Sequence, residues 1–471
     1  MINEQMKTIN GHGKVTGDII AELKGMLGDK NIVTGEGTEN YERDETLRAV
    51  PFPSEVVVKP GDPKSVSSIM KLASRYKIPV TPRGAGTGLS GGAVPIHGGI
   101  VLSLERMNSL IDINTDNFTA EAEAGAVLAD VHQAVLDKGL YYPLYPGEMT
   151  ATIGGNVATN AGGMRAVKYG VTRHFVLGLE AVLPTGEVIK TGGKYVKCAT
   201  AYDLTQLLVG SEGTLAVITG VILRLISPPA SREILFVPFN SLWDAISTVP
   251  EILKEKILPV GIEFLEKDIL DMTEKFTGKE IPMHDYPAYL MIMLEADNQE
   301  QFLTLADRIG KVCLKNGAVD IFIPGSERAK RNLLEAREKF YPSLKHYGML
   351  EIADVVVPRS RIAEFVEESR NITAQKGLKL NASGHAGDGN VHLHLMGQDT
   401  EANFKKAKEC LLEFFKLGVS MEGTISGEHG LGYAKKEYLP LAANKAKLEL
   451  MKRIKNAFDP LNIMNPGKVI D

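Results

Sequence analysis

Side chains that could bind a metal ion are concentrated in the last quarter of the 471-residue chain. Four of its ten histidines fall between residues 385 and 429. His385 and His392 flank residues 387–390 (GDGN), a strong turn signal, so a hairpin would bring both imidazoles together. On a strand, His392 and His394 share one face. Two histidines plus the Glu428 carboxylate suit a divalent metal such as Zn, Mn or Fe(II). Hydrogen-bonded core histidines are the competing interpretation, and the residues alone leave both open.

A glycine-dense loop at residues 83–92 (RGAGTGLSGG) could hold an anionic group. It contains a literal GxGxxG at Gly86, Gly88 and Gly91, but a dinucleotide-binding interpretation requires a helix directly afterwards. Gly92 and Pro95 oppose such a helix, and the GK[ST] of a Walker loop is absent. The remaining property is a run of backbone N–H groups that can approach a pyrophosphate closely. A flexible surface loop is the alternative.

A second loop at residues 152–163 (TIGGNVATNAGG) mixes glycines with Thr152, Asn156, Thr159 and Asn160. These side chains offer donors and acceptors to a polar ring edge, and the glycines permit close approach. The alternative is a pair of tight turns between core elements. Two such loops in one α/β region favour a large bound cofactor.

The elements that must position these residues alternate between helix and strand. Thr16 is a plausible N-cap for a helix that ends at Gly28, and Asp62 with Pro63 should start a helix that reaches Tyr76. Other predicted helices are 127–138 and 326–340. Predicted strands are 56–59, 80 onward, 100–104, 119–123, 215–225 and 289–294, with a hairpin at 179–190. The run Ser227–Pro228–Pro229–Ala230 predicts a domain boundary.

Composition sets the broad class of protein. A mass of 51.2 kDa predicts two or three domains, and 53 Lys+Arg against 58 Asp+Glu excludes the basic excess of a nucleic-acid binder. Three separated cysteines offer no CxxC motif and fit a reducing compartment. The first fifteen residues lack the apolar core of a signal peptide, and no apolar run approaches a membrane span. We therefore expect a cytoplasmic protein.

Six motifs carry a resemblance to a known family. They are RGAGTGL, TIGGNVATNAGG, DLTQLLVGSEGTLAVIT (203–219), GHAGDGNVH (384–392), SGEHG (426–430) and FDPLNIMNPGK (458–468). Together they resemble the flavin-dependent 2-hydroxyacid dehydrogenases of the vanillyl-alcohol-oxidase-like superfamily, in particular the D-lactate dehydrogenase and glycolate oxidase catalytic subunit types. The resemblance covers nearly the whole chain after about residue 40, with the motifs in the expected order.

The resemblance implies an α+β fold: a two-lobed FAD-binding domain with an α+β substrate or cap domain. The implied limits are 1–227 for the FAD-binding domain with its N-terminal helix, 228–430 for the cap domain with the metal motif, and 431–471 for the return to the FAD-binding domain. No covalent flavin attachment is expected, because the first loop has no histidine. The implied FAD-binding residues are Pro82, Arg83, Gly84, Ala85, Gly86, Thr87, Gly88, Leu89, Pro146, Gly147, Thr152, Gly155, Asn156, Thr159, Asn160, Gly162, Gly163, Glu212, Gly213, Ile218 and Asn465.

The resemblance also implies roles in the reaction. His385, His392 and Glu428 match the family's metal ligands, and His429 is expected to be the general base that accepts the substrate hydroxyl proton. The alternative for His429 is a partner of the metal ligands. Arg337 resembles the arginine that pairs with the substrate carboxylate, and its alternative is an exposed arginine in a helical ion pair.

The implied substrate is a small 2-hydroxy acid, with D-lactate preferred. Glu351, Ile352 and Ala353 offer no cation for a second carboxylate before the strand at 354–358, which disfavours 2-hydroxyglutarate. Glycolate oxidation is an alternative. Electrons would pass to a partner such as electron-transferring flavoprotein. Two readings from other classes also stay open, a metal hydrolase and a non-catalytic flavin-binding subunit.

Overall fold

The structure is a computed structural model that describes residues 11–48, 50–282 and 285–470. The sequence predicts that the first fifteen residues are not a signal peptide. Ten of them, residues 1–10, lie outside the described residues. No helix within the described ranges is both long and apolar enough to cross a bilayer.

A four-stranded sheet comes first in the chain, in the order β1–β2–β4–β3. β2 and β3 both pair in parallel with β4, and β1 pairs antiparallel with β2. The helix Pro63–Tyr76 starts where the sequence predicts, because Asp62 accepts a hydrogen bond from the Ser65 amide. The strands are β1 Ile32–Val33, β2 Val56–Val58, β3 Val80–Arg83 and β4 Ile100–Ser103.

A five-stranded antiparallel sheet follows, in the order β5–β6–β9–β7–β8. The predicted hairpin at 179–190 is confirmed, and its turn contains Gly186 at a φ of 87°. The strands are β5 Leu110–Asn114, β6 Thr119–Glu123, β7 Val176–Val182, β8 Val188–Gly192 and β9 Val217–Arg224.

The largest sheet has six antiparallel strands in the order β10–β12–β11–β14–β15–β13. Its register places His385 opposite Glu263, and His392 opposite Asp354. These four side chains therefore lie near one another on the central and edge strands. The strands are β10 Ser231–Phe239, β11 Gly261–Glu266, β12 Ala288–Ala296, β13 Met349–Val356, β14 Lys379–His385 and β15 Asn390–Met396.

Helices cover these sheets, and the predicted one at 326–340 is in fact two, separated at Lys339. The α-helices are Gly17–Leu27, Pro63–Tyr76, Leu128–Asp137, Ile153–Thr159, Ala166–Tyr169, Leu204–Leu208, Leu242–Lys254, Lys267–Thr277, Gln299–Lys315, Glu327–Glu338, Phe340–His346, Ile362–Gln375, Glu401–Ser420, Leu439–Ala442 and Lys445–Phe458.

The second glycine-rich segment contains a helix, Ile153–Thr159, where the sequence predicted only a loop. Thr152 begins it by accepting a hydrogen bond from the Gly155 amide at 3.2 Å. Gly154 lies so close to Ala124 that an added Cβ would be 2.6 Å from the alanine Cβ. Glycine disfavours helices in isolation. Here the missing side chain lets the helix pack against its neighbour, and tertiary packing overrides the local preference.

Apolar side chains form separate cores. One contains residues between 19 and 225 together with Ile463 and Met464, and another contains residues between 235 and 438. A third cluster joins Met164 to residues of the six-stranded sheet and its helices. Met464 also forms a parallel bridge with Val80, so the C-terminal tail returns to the first sheet. The domain limits at 227 and 430 stay a prediction. The change of core after residue 225 supports the first limit, whereas the second core extends past 430 to Tyr438.

Candidate functional site

A cleft with a volume of about 230 Å³ runs between the two glycine-rich segments. Seventeen of the twenty-one residues expected to bind a cofactor line it: Pro82, Arg83, Gly84, Ala85, Gly86, Thr87, Gly88, Leu89, Pro146, Thr152, Gly155, Asn156, Thr159, Gly162, Glu212, Gly213 and Ile218. The other four, Gly147, Asn160, Gly163 and Asn465, are not among its lining residues. The cleft wall also includes small residues that the sequence did not single out, such as Ala124, Ala158 and Ala216.

The first glycine loop presents its backbone to the cleft. Within the described part of the chain, the N–H groups of residues 84–89 donate to no protein acceptor. Gly86 has a φ of 76°, and an added Cβ there would be 2.1 Å from the Arg83 guanidinium. That guanidinium points into the protein and donates to the Arg43 carbonyl at 2.7 Å. The loop is therefore held from behind while its amides remain available to an anionic ligand.

The C-terminal tail is hydrogen-bonded to residues that form the wall of the cleft. Glu212 accepts hydrogen bonds from the amides of Leu431 and Gly432 at 2.8 and 2.7 Å. Asn465 donates to the Gly92 and Glu212 carbonyls, so it supports the wall of the cleft rather than lining it. Buried Lys468 donates to Asn465 Oδ1 at 2.9 Å.

One end of the cleft reaches the histidine-rich region, because Glu428 and His429 line the same cavity as the glycine loops. A Cβ at Gly162 would be 2.9 Å from Glu428 Oε2, so a larger residue would press on this carboxylate where the two regions meet. The structure thus brings together two groups of residues that lie far apart in the sequence.

The three expected metal ligands converge on one point. Glu428 Oε1 is 3.3 Å from His385 Nε2 and 3.2 Å from His392 Nε2. Ligands of a tetrahedral zinc ion with bonds of about 2.1 Å are separated by about 3.4 Å. The His392 Nε2 atom is buried and makes no hydrogen bond of acceptable geometry to any residue that the structure describes. The donor types, their separations and this unsatisfied nitrogen all fit a divalent cation.

Glu263 orients His385 from the other side of the ring. His385 donates from Nδ1 to Glu263 Oε1 at 2.6 Å, which leaves Nε2 facing Glu428. Burial disfavours the charged imidazolium, but Glu263 and Glu428 outweigh it and hold the pKa of His385 well above its usual value. His385 and His392 in turn lower the pKa of Glu428 well below its usual value, against the effect of burial. This arrangement requires a positive charge at its centre, either a proton or a metal ion.

Asp354 fixes the loop that carries Glu428 and His429. Its Oδ2 atom accepts hydrogen bonds from the amides of Gly427, Glu428 and His429 at 3.0, 3.1 and 2.9 Å, and one from the Ser426 hydroxyl at 2.9 Å. Asp354 also lies within reach of His392 and His429 as a possible metal-binding group. Because its oxygens already accept these bonds, we assign it to the support of the loop.

His429 combines a buried ring with an unsatisfied nitrogen. Its Nδ1 makes no hydrogen bond within the described ranges, and the ring stacks on His392 with centroids 5.2 Å apart. Burial lowers the pKa of His429 to about 4, so the imidazole is neutral near pH 7. His394 lies on the same face of β15 as His392 and is hydrogen-bonded to Ser383 at 3.1 Å. Burial and the charges of His392 and Arg337 hold the pKa of His394 well below its usual value.

Arg337 is not in a helical ion pair. Its Nε donates to Glu263 Oε2 at 2.8 Å, and its guanidinium lies 5.2 Å from the centre of the Phe340 ring. Through Glu263 it is connected to His385 and thus to the expected metal ligands. The two terminal guanidinium nitrogens make no hydrogen bond to the described residues, so the planar fork can bind a carboxylate.

Sequence reasoning missed Glu263 and Asp354. Both are fully buried acids within apolar strands, GIEFLE and MLEIADVV. A buried charge requires a partner, so an isolated acid in an apolar strand was an available signal. Glu263 pairs with Arg337, 74 residues away, and Asp354 pairs with His429, 75 residues away. Sequence spacing could not identify partners at such distances.

Comparisons with known proteins connect this geometry to a family. Residues 54–192 match the family described as FAD binding domain, and residues 228–469 match FAD linked oxidases, C-terminal domain. A D-lactate dehydrogenase of Archaeoglobus fulgidus is 41% identical over 437 residues, which cover 92% of this chain and 96% of the relative. A glycolate oxidase subunit of Bacillus subtilis is 36% identical over 463 residues, which cover 97% of each chain.

Solved structures agree on the fold. A 4-ethylphenol oxidase from Gulosibacter chungangensis has a TM-score of 0.78 and 19% identity, and the match covers 98% of each chain. At this level of identity the likeness concerns the fold alone.

Proposed function

Because the chain belongs to the FAD-linked oxidases of the vanillyl-alcohol-oxidase-like family, we propose that it oxidises a small 2-hydroxy acid, preferably D-lactate, to the 2-oxo acid. FAD in the cleft would supply the oxidised ring that takes the hydride from C2. The observation that carries the proposal is the continuity of one cavity from the glycine loops to Glu428 and His429.

Three side-chain functions meet at the histidine end. The free fork of Arg337 would bind the substrate carboxylate and fix the orientation of the acid. The neutral imidazole of His429 would accept the hydroxyl proton as C2 is oxidised. His385, His392 and Glu428 would hold a divalent metal, which supplies positive charge that favours the alkoxide form of a bound hydroxyl.

The walls near this end favour a substrate with one carboxylate. Ile352 is buried on β13 opposite His394 and contributes an apolar surface. The nearby cations are already paired: Lys408 lies 2.7 Å from Glu351, and Lys435 lies 3.4 Å from Asp354. A second substrate carboxylate would therefore lack a free cation, which supports lactate or glycolate over 2-hydroxyglutarate.

Electrons must leave the reduced flavin, and we propose that a partner such as electron-transferring flavoprotein accepts them in the cytoplasm. The six family motifs include no second redox centre, and the three cysteines are separate and free. Co-purification of a second flavoprotein, with D-lactate oxidation that depends on it, would support this partner.

The decisive experiment mixes the purified yellow protein with substrate under anaerobic conditions. We expect D-lactate to bleach the flavin absorbance faster than glycolate, and 2-hydroxyglutarate to be slowest. Faster bleaching by glycolate would change the preferred substrate, and faster bleaching by 2-hydroxyglutarate would contradict the single-carboxylate argument. A yellow protein that none of them bleaches would favour a flavin-binding subunit without this activity.

A further inference from the structure

We propose that Glu263 is a positioning residue that ties recognition of the substrate carboxylate to metal binding. The inference rests on the proposed function and deepens it, because it assigns both tasks to one carboxylate that touches neither substrate nor metal. The two oxygens of Glu263 serve different partners: Oε1 accepts from His385 Nδ1 at 2.6 Å, and Oε2 accepts from Arg337 Nε at 2.8 Å.

Because Glu263 is buried, its two contacts restrict the protonation of both partners. The Glu263 side chain has no exposed surface, and it sits on the central strand β11 opposite His385. Both partners must therefore act as donors to an ionised carboxylate, which accepts only. His385 Nδ1 consequently keeps its hydrogen, and Nε2, on the side of Glu428, is the nitrogen that can bind a metal. The arginine is held by Nε alone, which leaves its two terminal nitrogens for a ligand.

An amide in place of the Glu263 carboxylate could not keep both of these hydrogen bonds. Glutamine has one accepting oxygen and one donating nitrogen, so it cannot accept from both partners. The charged guanidinium is the stronger donor, so the amide oxygen should turn to Arg337 and the NH₂ group to His385. His385 Nδ1 then becomes the acceptor, its hydrogen moves to Nε2, and that nitrogen no longer binds a metal.

Glu266 provides a matched control on the same strand. It is also a nearly buried glutamate that bonds an arginine, Arg370, and it accepts the Ala382 amide at 2.7 Å. It contacts none of the residues assigned to the substrate or the metal. Glu266→Gln therefore reports what the same chemical change does to the strand alone.

The experiment measures Zn²⁺ affinity, flavin content and the kinetics of D-lactate oxidation for wild type, Glu263→Gln, Glu263→Ala and Glu266→Gln. Zn²⁺ affinity is measured on chelator-treated flavoprotein by competition with a chromophoric chelator. For Glu263→Gln we expect retained flavin, Zn²⁺ affinity about 10- to 100-fold weaker, and an almost unchanged KM at saturating Zn²⁺. For Glu263→Ala we expect weaker Zn²⁺ binding and also a KM raised about tenfold. Glu266→Gln should change neither quantity.

The outcomes separate this inference from the proposed function. Wild-type Zn²⁺ affinity in Glu263→Gln overturns the positioning role, and so does an unchanged KM in Glu263→Ala. Loss of flavin from both Glu263 variants, but not from Glu266→Gln, assigns Glu263 to folding and also overturns it. If wild type binds Zn²⁺ but does not oxidise D-lactate, the proposed substrate fails, while the comparison of Zn²⁺ affinities still tests the tautomer argument. If the wild-type protein does not bind Zn²⁺, the proposed link between carboxylate recognition and metal binding is overturned.

Discussion

The two ends of the cleft differ in what they offer a ligand. The glycine end, residues 82–93 and 152–162, presents backbone amides and small side chains at very close range, and several of its glycines leave no space for a Cβ. At the histidine end, Glu428 and His429 line the cleft. Together with the neighbouring His385, His392 and Arg337 they present charged and titratable side chains held by buried acids. The first end can recognise a large cofactor by shape, and the second can move a proton and bind an acid.

This difference predicts that changes at the glycine end abolish cofactor binding, whereas changes at the histidine end leave the cofactor in place and stop the chemistry. The predictions below test that separation.

The largest effect is expected for Gly154→Val. The added side chain would overlap Ala124, where even a Cβ would be 2.6 Å from its Cβ, and overpacking of this kind costs about 1–3 kcal/mol. The helix Ile153–Thr159 should move and the purified variant should be colourless by absorbance. Gly25→Ala is the control, since Gly25 lies in a helix with open space around it. A yellow Gly154→Val protein would contradict the shape argument.

His429→Ala tests the opposite end. The variant should retain its flavin spectrum, because His429 touches the cleft only at its margin. Without the base, the rate of anaerobic bleaching by D-lactate should fall about 10²- to 10⁴-fold. Stopped-flow absorbance measures both quantities on one sample, and bleaching at the wild-type rate would remove His429 from the role of base.

The fold was largely predictable wherever the signals were local. Thr16 and Asp62 begin helices as expected, and the strand at 119–123 is found with the predicted limits. The helix at 153–159 was missed, because the reason for its glycines is a contact with Ala124 across the fold. The convergence of His385 and His392 followed from one turn. Glu263 and Asp354 were missed because only the assembled sheet brings them to their partners.

Arg337→Lys should have a smaller effect, since a positive charge remains but the planar fork is lost. We expect the KM for D-lactate to rise about 10- to 100-fold, with kcat changed much less and the flavin retained. Arg331→Lys, an exposed position on the same helix, serves as the control. An unchanged KM would indicate that the carboxylate binds elsewhere.

The smallest effect concerns a charge at the glycine end. Lys468 is buried and donates to the Val94 carbonyl at 2.6 Å, and burial lowers its pKa from 10.5 to about 7. Between these two values the unfolded chain binds more protons than the folded one, so this lysine makes stability rise with pH. Relative to Lys468→Met, the wild-type free energy of unfolding should increase from pH 7 to pH 9 in denaturant titrations. Parallel pH dependences would show that Lys468 does not titrate in this range.

The return of the C-terminal tail has a consequence for the order of synthesis. Val80 pairs with Met464, and its amide donates to the Ile463 carbonyl at 2.8 Å, although the whole six-stranded sheet lies between them in the sequence. Glu212 likewise accepts hydrogen bonds from Leu431 and Gly432, which are translated much later. The segment around Val80 therefore leaves the ribosome long before its own cleft can be closed, and residues near Met464 complete a site that was begun much earlier in the chain.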